Sequence, residues 1–289
     1  MLPPAARSPS LSQVAPGPGL LDALEIRGAG RVVSLVGAGG KTSLALWLMA
    51  EGRERGWPTL FTTTTHIQEP VLGEGECLLL CEAPGFWGEL ARCVRQGAPT
   101  FVAAGLSGLQ ASGDSGHPIL PGRFRSRKLR GLALAEVDRL VACFPEALVL
   151  VEADGARHRL LKAPAEYEPQ IPESTTHLAV VAAADVVGKP LAPDVVHRPE
   201  HMAALLGVNE GTTLTPHLVA EALAHPDCGL KGIPAGPCAI LILTFLAEPW
   251  PVEVAREVAE RALAISSRFR RVVLCALRPS WGVVGVLGR

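Results

Sequence analysis

Gly37-Ala38-Gly39-Gly40-Lys41-Thr42-Ser43 gathers the residue types best suited to holding a phosphate chain. Glycines lack the Cβ that would keep backbone N–H groups from turning toward phosphate oxygens, and a helix N-terminus just beyond adds partial positive charge. Lys41 is placed to reach the terminal phosphates, and Thr42 offers a hydroxyl to Mg2+. A second concentration is Glu152-Ala153-Asp154-Gly155, which closes the apolar run 147–151. Acids at a strand end beside such a loop hold Mg2+ directly or through water, or position an attacking water. Alternate residues of an extended chain point to one side, so Glu152 and Asp154 are expected to flank one ion or to divide those duties. Thr42 and Asp154 are the expected metal ligands. Arg157 and Lys162 follow at once and can neutralise phosphate charge, or instead pair with Glu166 or Glu168 on the surface. Lys41, Glu152, Asp154 and Arg157 form the expected catalytic group.

The loop spacing is unusual. The common G-x4-G-K-[ST] pattern would place its first glycine at position 35, where this chain has Leu35. The Gly37-x-x-Gly40-Lys41-Thr42 loop is two residues shorter and resembles the phosphate loop of Mur-type ligases. A glycine-rich turn with a chance lysine is the competing reading, but strand, glycines, Gly-Lys-Thr and helix fall in the order a phosphate clamp needs.

These residues need strands and helices to position them. A β-branched run at 32–36 precedes the loop, and an apolar segment of helical character follows to about residue 55, where Gly56 and Pro58 end it. Residues 59–61 read as a second strand running into Thr62-Thr63-Thr64-Thr65-His66. Hydroxyls at a strand's carboxyl end sit where α/β sheets bind ligands, so Thr63 and Thr64 are candidate contacts, against the alternative of a β-favouring strand tail. Short strands are expected at 77–81, 100–104, 176–184, 238–244, 271–276 and 283–287, with helices at 87–95, 134–143, 215–224 and 252–269. The segment 105–121 is rich in Gly, Ser, Pro and Asp and reads as a long loop, as does the Gly/Pro stretch 231–237. Strands spaced by helices imply βαβ units: an α/β, P-loop NTPase-like fold with a mostly parallel β-sheet flanked by helices. Residues 1–18 are expected to be a flexible tail and 19–289 one domain, with the part after about 190 a candidate subdomain.

Composition narrows the partners. A formal charge of −1 gives no general attraction to nucleic acid or anionic lipid. The local exception is Arg123-Phe124-Arg125-Ser126-Arg127-Lys128-Leu129-Arg130, read either as a solvated loop or as an anion-binding loop beside the nucleotide. No apolar run reaches the roughly 20 residues of a membrane span. Seven irregularly spaced cysteines suggest neither a disulfide framework nor a structural zinc site and fit a reducing cytoplasm. His197 and His201 share a helical spacing, but a third ligand is missing, and Arg198 contacting phosphate is the better expectation for that segment.

In this order, the chain carries Leu35 through Ser43, Phe61 through His66, Lys128 through Gly131, Val151 through Arg157, Leu161 through Pro164, Glu168 through Pro172, Val196 through Glu200 and Lys231 through Gly236. On these segments it resembles the YqeC-type proteins, described as accessory proteins of selenium-dependent molybdenum hydroxylases. The resemblance implies a cytoplasmic factor that uses Mg2+ with ATP or GTP to prepare or insert the cofactor of such an enzyme, with that enzyme or its maturation machinery as partner. Where the family tends toward an Asn-Lys-x-Asp-like segment, this chain has Thr244-Phe245-Leu246-Ala247-Glu248. A guanine-reading Asp is absent there, which leaves ATP at least as well supported as GTP. An ATP-dependent kinase or ligase acting on a small acceptor, and a non-hydrolysing cofactor chaperone, are the alternatives.

Overall fold

In the computed structural model the described residues are 19–110, 120, 122–233, 239–278 and 280–288. Helix α1 (Leu20–Ala23) leads into β1 (Val32–Gly37), and α2 (Lys41–Glu54) starts straight from the glycine turn. Then come β2 (Thr59–Thr63), β3 (His66–Pro70), β4 (Cys77–Leu80), α3 (Phe86–Arg95), β5 (Thr100–Ala103), β6 (Gly105–Gln110), β7 (Phe124–Arg130) and α4 (Leu134–Cys143). The acid-ended run is β8 (Leu148–Glu152), followed by β9 (Leu161–Lys162), β10 (His177–Ala183), β11 (Val196–His197), α5 (Pro199–Leu206) and α6 (Pro216–Ala224). The chain closes with β12 (Ala239–Phe245), α7 (Val252–Ile265), β13 (Phe269–Ala276) and β14 (Gly282–Gly288).

Apolar runs of five to seven residues form the buried strands because both faces of a parallel sheet are covered. The nine-stranded sheet has the order β14-β13-β12-β10-β1-β8-β2-β5-β4. Every neighbouring pair is parallel except β13 with β14, which are antiparallel. Alternation divides the strand residues between two faces: Leu148, Leu150, Ala179 and Val181 pack with α1 and α2. Val149 and Val151 face the other way toward α3 and α4, and Leu178, Val180 and Leu241 toward α5, α6 and α7. The fold is therefore α/β, P-loop NTPase-like, with helices on both faces of a mostly parallel sheet. None of the helices among the described residues is long and apolar enough to cross a membrane.

Two expectations are corrected. Residues 105–110 of the expected loop form β6, and residues 124–130 of the basic run form β7 instead of a loop; with β3 they make a three-stranded antiparallel sheet, order β3-β7-β6. This small sheet grows from the carboxyl ends of β2 and β5, where Leu132 N–H donates to the Thr63 carbonyl (2.8 Å) and Ala104 N–H to the Arg130 carbonyl (2.9 Å). Its strand character was hidden because, in β7, only Phe124 and Leu129 are buried. The expectations for 1–18, 111–119, 121 and 234–238 fall outside the described residues.

Candidate functional site

β1 lies at the middle of the sheet, with β8 on one side and β10 on the other, so the glycine loop opens at the carboxyl ends of three buried parallel strands. That is where open α/β sheets bind ligands. The loop conformation belongs to glycine. Gly37 has φ +96° and a Cβ there would sit 2.3 Å from the Val181 carbonyl oxygen, while Gly40 has φ +121° and a Cβ would meet Leu277 Cδ1 at 2.5 Å. Loop amides at the base are used internally: Gly37 N–H donates to Asp154 Oδ2 (2.9 Å), Ala38 N–H to the Val181 carbonyl (2.9 Å) and Gly39 N–H to the Arg159 carbonyl (3.0 Å). The next amides begin α2, and no side chain caps this 14-residue helix. Its first-turn N–H groups and dipole thus face the cleft, the arrangement that receives an anion.

Beneath the loop runs a chain of alternating charges. Lys41 Nζ donates to the Gly37 carbonyl (2.6 Å) and lies 3.0 Å from Asp154 Oδ1 and 3.8 Å from Glu152 Oε1. The contact with Asp154 is an ion pair without hydrogen-bond alignment, since Oδ1 has no hydrogen-bonded partner among the described residues. Lys162, its side chain 1% exposed, places Nζ 3.0 Å from both Asp154 Oδ2 and Glu168 Oε2 and donates to the Gly155 carbonyl (2.6 Å). Arg198 completes the chain, donating to Glu168 Oε2 (2.8 Å) and the Ala163 carbonyl (3.2 Å). Burial opposes the charge on Lys41, but Asp154 and Glu152 outweigh it and raise its pKa above the ordinary lysine value. Burial pushes the Glu152 carboxyl up, against Lys41 and the Thr42 hydroxyl. The partners Lys162 and Glu168 shift alike in direction for opposite reasons: burial dominates at Lys162, whereas at Glu168 the burial is overcome by Lys162, the Ala165 N–H and Arg198.

A cleft of about 690 Å³ opens above this network, within the range of small-ligand sites. Gly39, Gly40, Lys41, Thr42 and Glu152 line it at the loop. Thr42 Oγ1 donates to Glu152 Oε2 at 2.8 Å, which sets a hydroxyl oxygen and a carboxylate side by side at the cleft wall. Asp154 is buried below, its oxygens facing Lys41, Lys162 and the Gly37 amide. β8 ends at Glu152, so Asp154 leaves the strand's alternation and the two acids take different positions. Arg157 lines the cleft from a left-handed backbone (φ +48°), and Arg198 lines it too while holding Glu168. Ala38 and Ser43 are buried, supporting the turn from within.

Of the threonines, Thr64 lines the cleft, but its hydroxyl donates to the Gln170 carbonyl (2.8 Å). Thr63 is buried and its hydroxyl donates to the Glu152 carbonyl (2.8 Å), fastening the strand end that carries the acid. The site roles of two contributors are not legible in the sequence. Glu168, there a surface partner and the start of the segment through Pro172, is 7% exposed and anchors Lys162 and Arg198. Thr244, which opens the segment lacking a guanine-reading Asp, is fully buried and donates its hydroxyl to the Gly39 carbonyl. Its position at the end of a strand running parallel to β1's neighbour was the available signal.

Comparison with known proteins gives two matches. The family described as YqeC protein matches residues 33–200, which span the glycine loop, β8 and the segment through Arg198. The Escherichia coli (strain K12) protein described as uncharacterized protein YqeC is 30% identical over 205 residues, covering 71% of this chain and 72% of that protein. No solved structure matches. The chain belongs to the YqeC family.

Proposed function

We propose that this protein binds a nucleoside triphosphate with Mg2+ at the Gly37–Ser43 loop and uses that binding in maturing a selenium-dependent molybdenum hydroxylase. The carrying observation is the meeting, at one cleft wall, of the uncapped α2 N-terminus, Lys41 and the Thr42–Glu152 oxygen pair. That donor set fits Mg2+, which takes one or two protein oxygens and leaves its other positions to phosphate and water. Thr42 and Glu152 would hold the ion, which supplies charge neutralisation on the phosphates when bound. Asp154, which the sequence paired with Thr42 in that role, acts on this reading by orienting Lys41 and the Gly37 amide. Phosphate oxygens compete with Asp154 and Glu152 for the Lys41 ammonium, and Arg157 adds a further cation to the same cleft. The hydroxylase role rests on the family resemblance, and a cytoplasmic setting on the cysteine usage.

β12 ends in Thr244-Phe245, where Thr244 holds Gly39, with no guanine-reading carboxylate in the segment that follows, and Leu246 and Arg278 line the cleft there, so ATP is the favoured nucleotide. Calorimetric titration with ATP and GTP tests the reading. Mg2+-dependent binding that weakens at least about tenfold in Lys41→Ala, the scale of one charge-assisted contact, is expected. Failure of both nucleotides to bind, or affinity indifferent to Lys41→Ala, would refute it.

A further inference from the structure

The cations of the basic run 123–130 are disposed of unequally. Arg123 pairs with Glu76 (2.5 Å), Arg127 with Glu69 (2.5 Å), and Arg130 with Glu82; Arg125 lies 4.0 Å from Glu69. Lys128 has no carboxylate partner among the described residues. Phe124 and Lys128 line the cleft, while Arg125 and Arg127, on the other face of the strand, meet Glu69.

Across the cleft, Arg157 and His158 both hold left-handed backbone conformations (φ +48° and +60°). Such conformations cost of order 1–3 kcal/mol per residue and persist only where the surroundings impose them. Here the Arg159 carbonyl accepts from Gly39 N–H, and Arg159 N–H donates to the Ala156 carbonyl (3.0 Å each). The strained turn presents Arg157, His158 and Arg159 to the cleft. Burial, and then Lys128, Lys41 and Arg159, hold the His158 ring below its ordinary pKa, so these cations act on one common space. The carboxylates of the same lining are already engaged, Glu152 by Thr42 and Lys41, Glu168 by Lys162 and Arg198. The cleft therefore holds positive charge in excess of its own anions.

Arg159 belongs to the loop end of this space, where its carbonyl accepts from Gly39 N–H, whereas Lys128 lies away from the end suited to a nucleobase. Gly40 abuts Leu277 and Thr244, and Arg278 and Leu246, one and two residues further along the chain, line the cleft on the β12 side. Lys128 stands on the small sheet that grows from β2, on the opposite side of β1. β12 and β2 are four strand positions apart in the sheet order, roughly 19 Å at about 4.8 Å per strand. We propose that Lys128, facing the cationic turn 157–159 across the cleft, forms a second anion subsite that takes a small phosphate-bearing molecule while the nucleotide is bound. The inference rests on the nucleotide reading of the glycine loop and adds to it the chemical class of a co-substrate.

The test is calorimetric titration of inorganic phosphate into the full chain saturated with Mg2+ and a non-hydrolysable ATP analogue. Saturable phosphate binding is expected, weakened at least about tenfold by Lys128→Ala and largely retained by Lys128→Arg, with the analogue's affinity changed less than about twofold. Circular dichroism confirms that the variants fold. Phosphate that fails to bind the nucleotide-loaded protein, or binds without regard to Lys128, overturns the subsite. If the analogue itself does not bind, the nucleotide reading falls, and the same phosphate titration on the protein alone decides the subsite by the same Lys128 criterion.

Discussion

Replacing Lys162 by Met tests whether the alternating charges under the loop act as one network. The side chains of Lys162, Asp154 and Glu168 are 1%, 3% and 7% exposed, and Nζ stands 3.0 Å from a carboxylate oxygen of each acid. Met fills similar volume, so the packing loss is small. What remains is two buried carboxylates without the cation between them, with Arg198 left to Glu168 and Lys41 to Asp154. Removing one partner of a buried pair typically costs about 3–5 kcal/mol, a large share of the roughly 5–15 kcal/mol that holds a domain folded. For a chain of this size the melting temperature should fall by roughly 6–20 °C. Burial already pulls the Lys162 pKa down, so the pair itself is no large gain; the cost comes from the anions left behind. The assay is urea unfolding of both proteins at pH 7, 6 and 5. In the variant the folded-state carboxyl pKa values rise, so the folded protein takes up protons before the unfolded chain does. Its deficit relative to the parent must therefore shrink as pH falls from 7 to 5. A loss below about 1 kcal/mol, the scale of an exposed pair, or a deficit constant over that range would refute the network.

Three further outcomes are expected. Gly37→Ala should destabilise by at least about 3 kcal/mol, because a Cβ at φ +96° would meet the Val181 carbonyl at 2.3 Å; a melting curve near that of the parent would contradict the loop geometry. Thr244→Val removes the hydroxyl that donates to the Gly39 carbonyl and should cost about 1–3 kcal/mol in thermal unfolding, with Thr244→Ser close to the parent. Burial, then Arg198 and Lys162, depress the His197 pKa to about 4. The unfolded chain then binds the proton first, so stability complete above about pH 6.5 is lost on going toward pH 4. Allowing for water at the half-buried ring, the change is about 1–2 kcal/mol, and His197→Gln should flatten the urea midpoint over that range.

How far the sequence discloses this protein depends on the range over which each feature is encoded. β1, the glycine turn and α2 are contiguous, and each part carries its own signal: a buried apolar run, residues free to take positive φ, and a helical apolar segment. The same holds for β8, β10 and β12, whose burial on both faces makes each a mainly apolar stretch. β7 shows the opposite case. Its arginines look solvated in sequence because the acids that neutralise them, Glu69, Glu76 and Glu82, lie 47 to 58 residues away. Only the fold shows that they are paired, and only that pairing makes Lys128 distinct from them.

Glu152 and Asp154 mark a finer limit. Two acids two residues apart were expected to share one side, which holds only while the strand continues. β8 stops at Glu152, and the Gly37 amide and Lys162 draw Asp154 under the loop. The sequence thus locates the pair, while the division between a cleft-facing acid and a buried one arises where an extended chain gives way to a turn. Lys162 and Glu168 follow the same logic: a basic residue and an acid six positions apart suggest a surface pair, but β9 pairing with β11 carries Lys162 inside. Once a cation is buried there, Asp154 and Glu168 are required around it, so the unexpected acids are the consequence of one short parallel bridge that no local pattern announces.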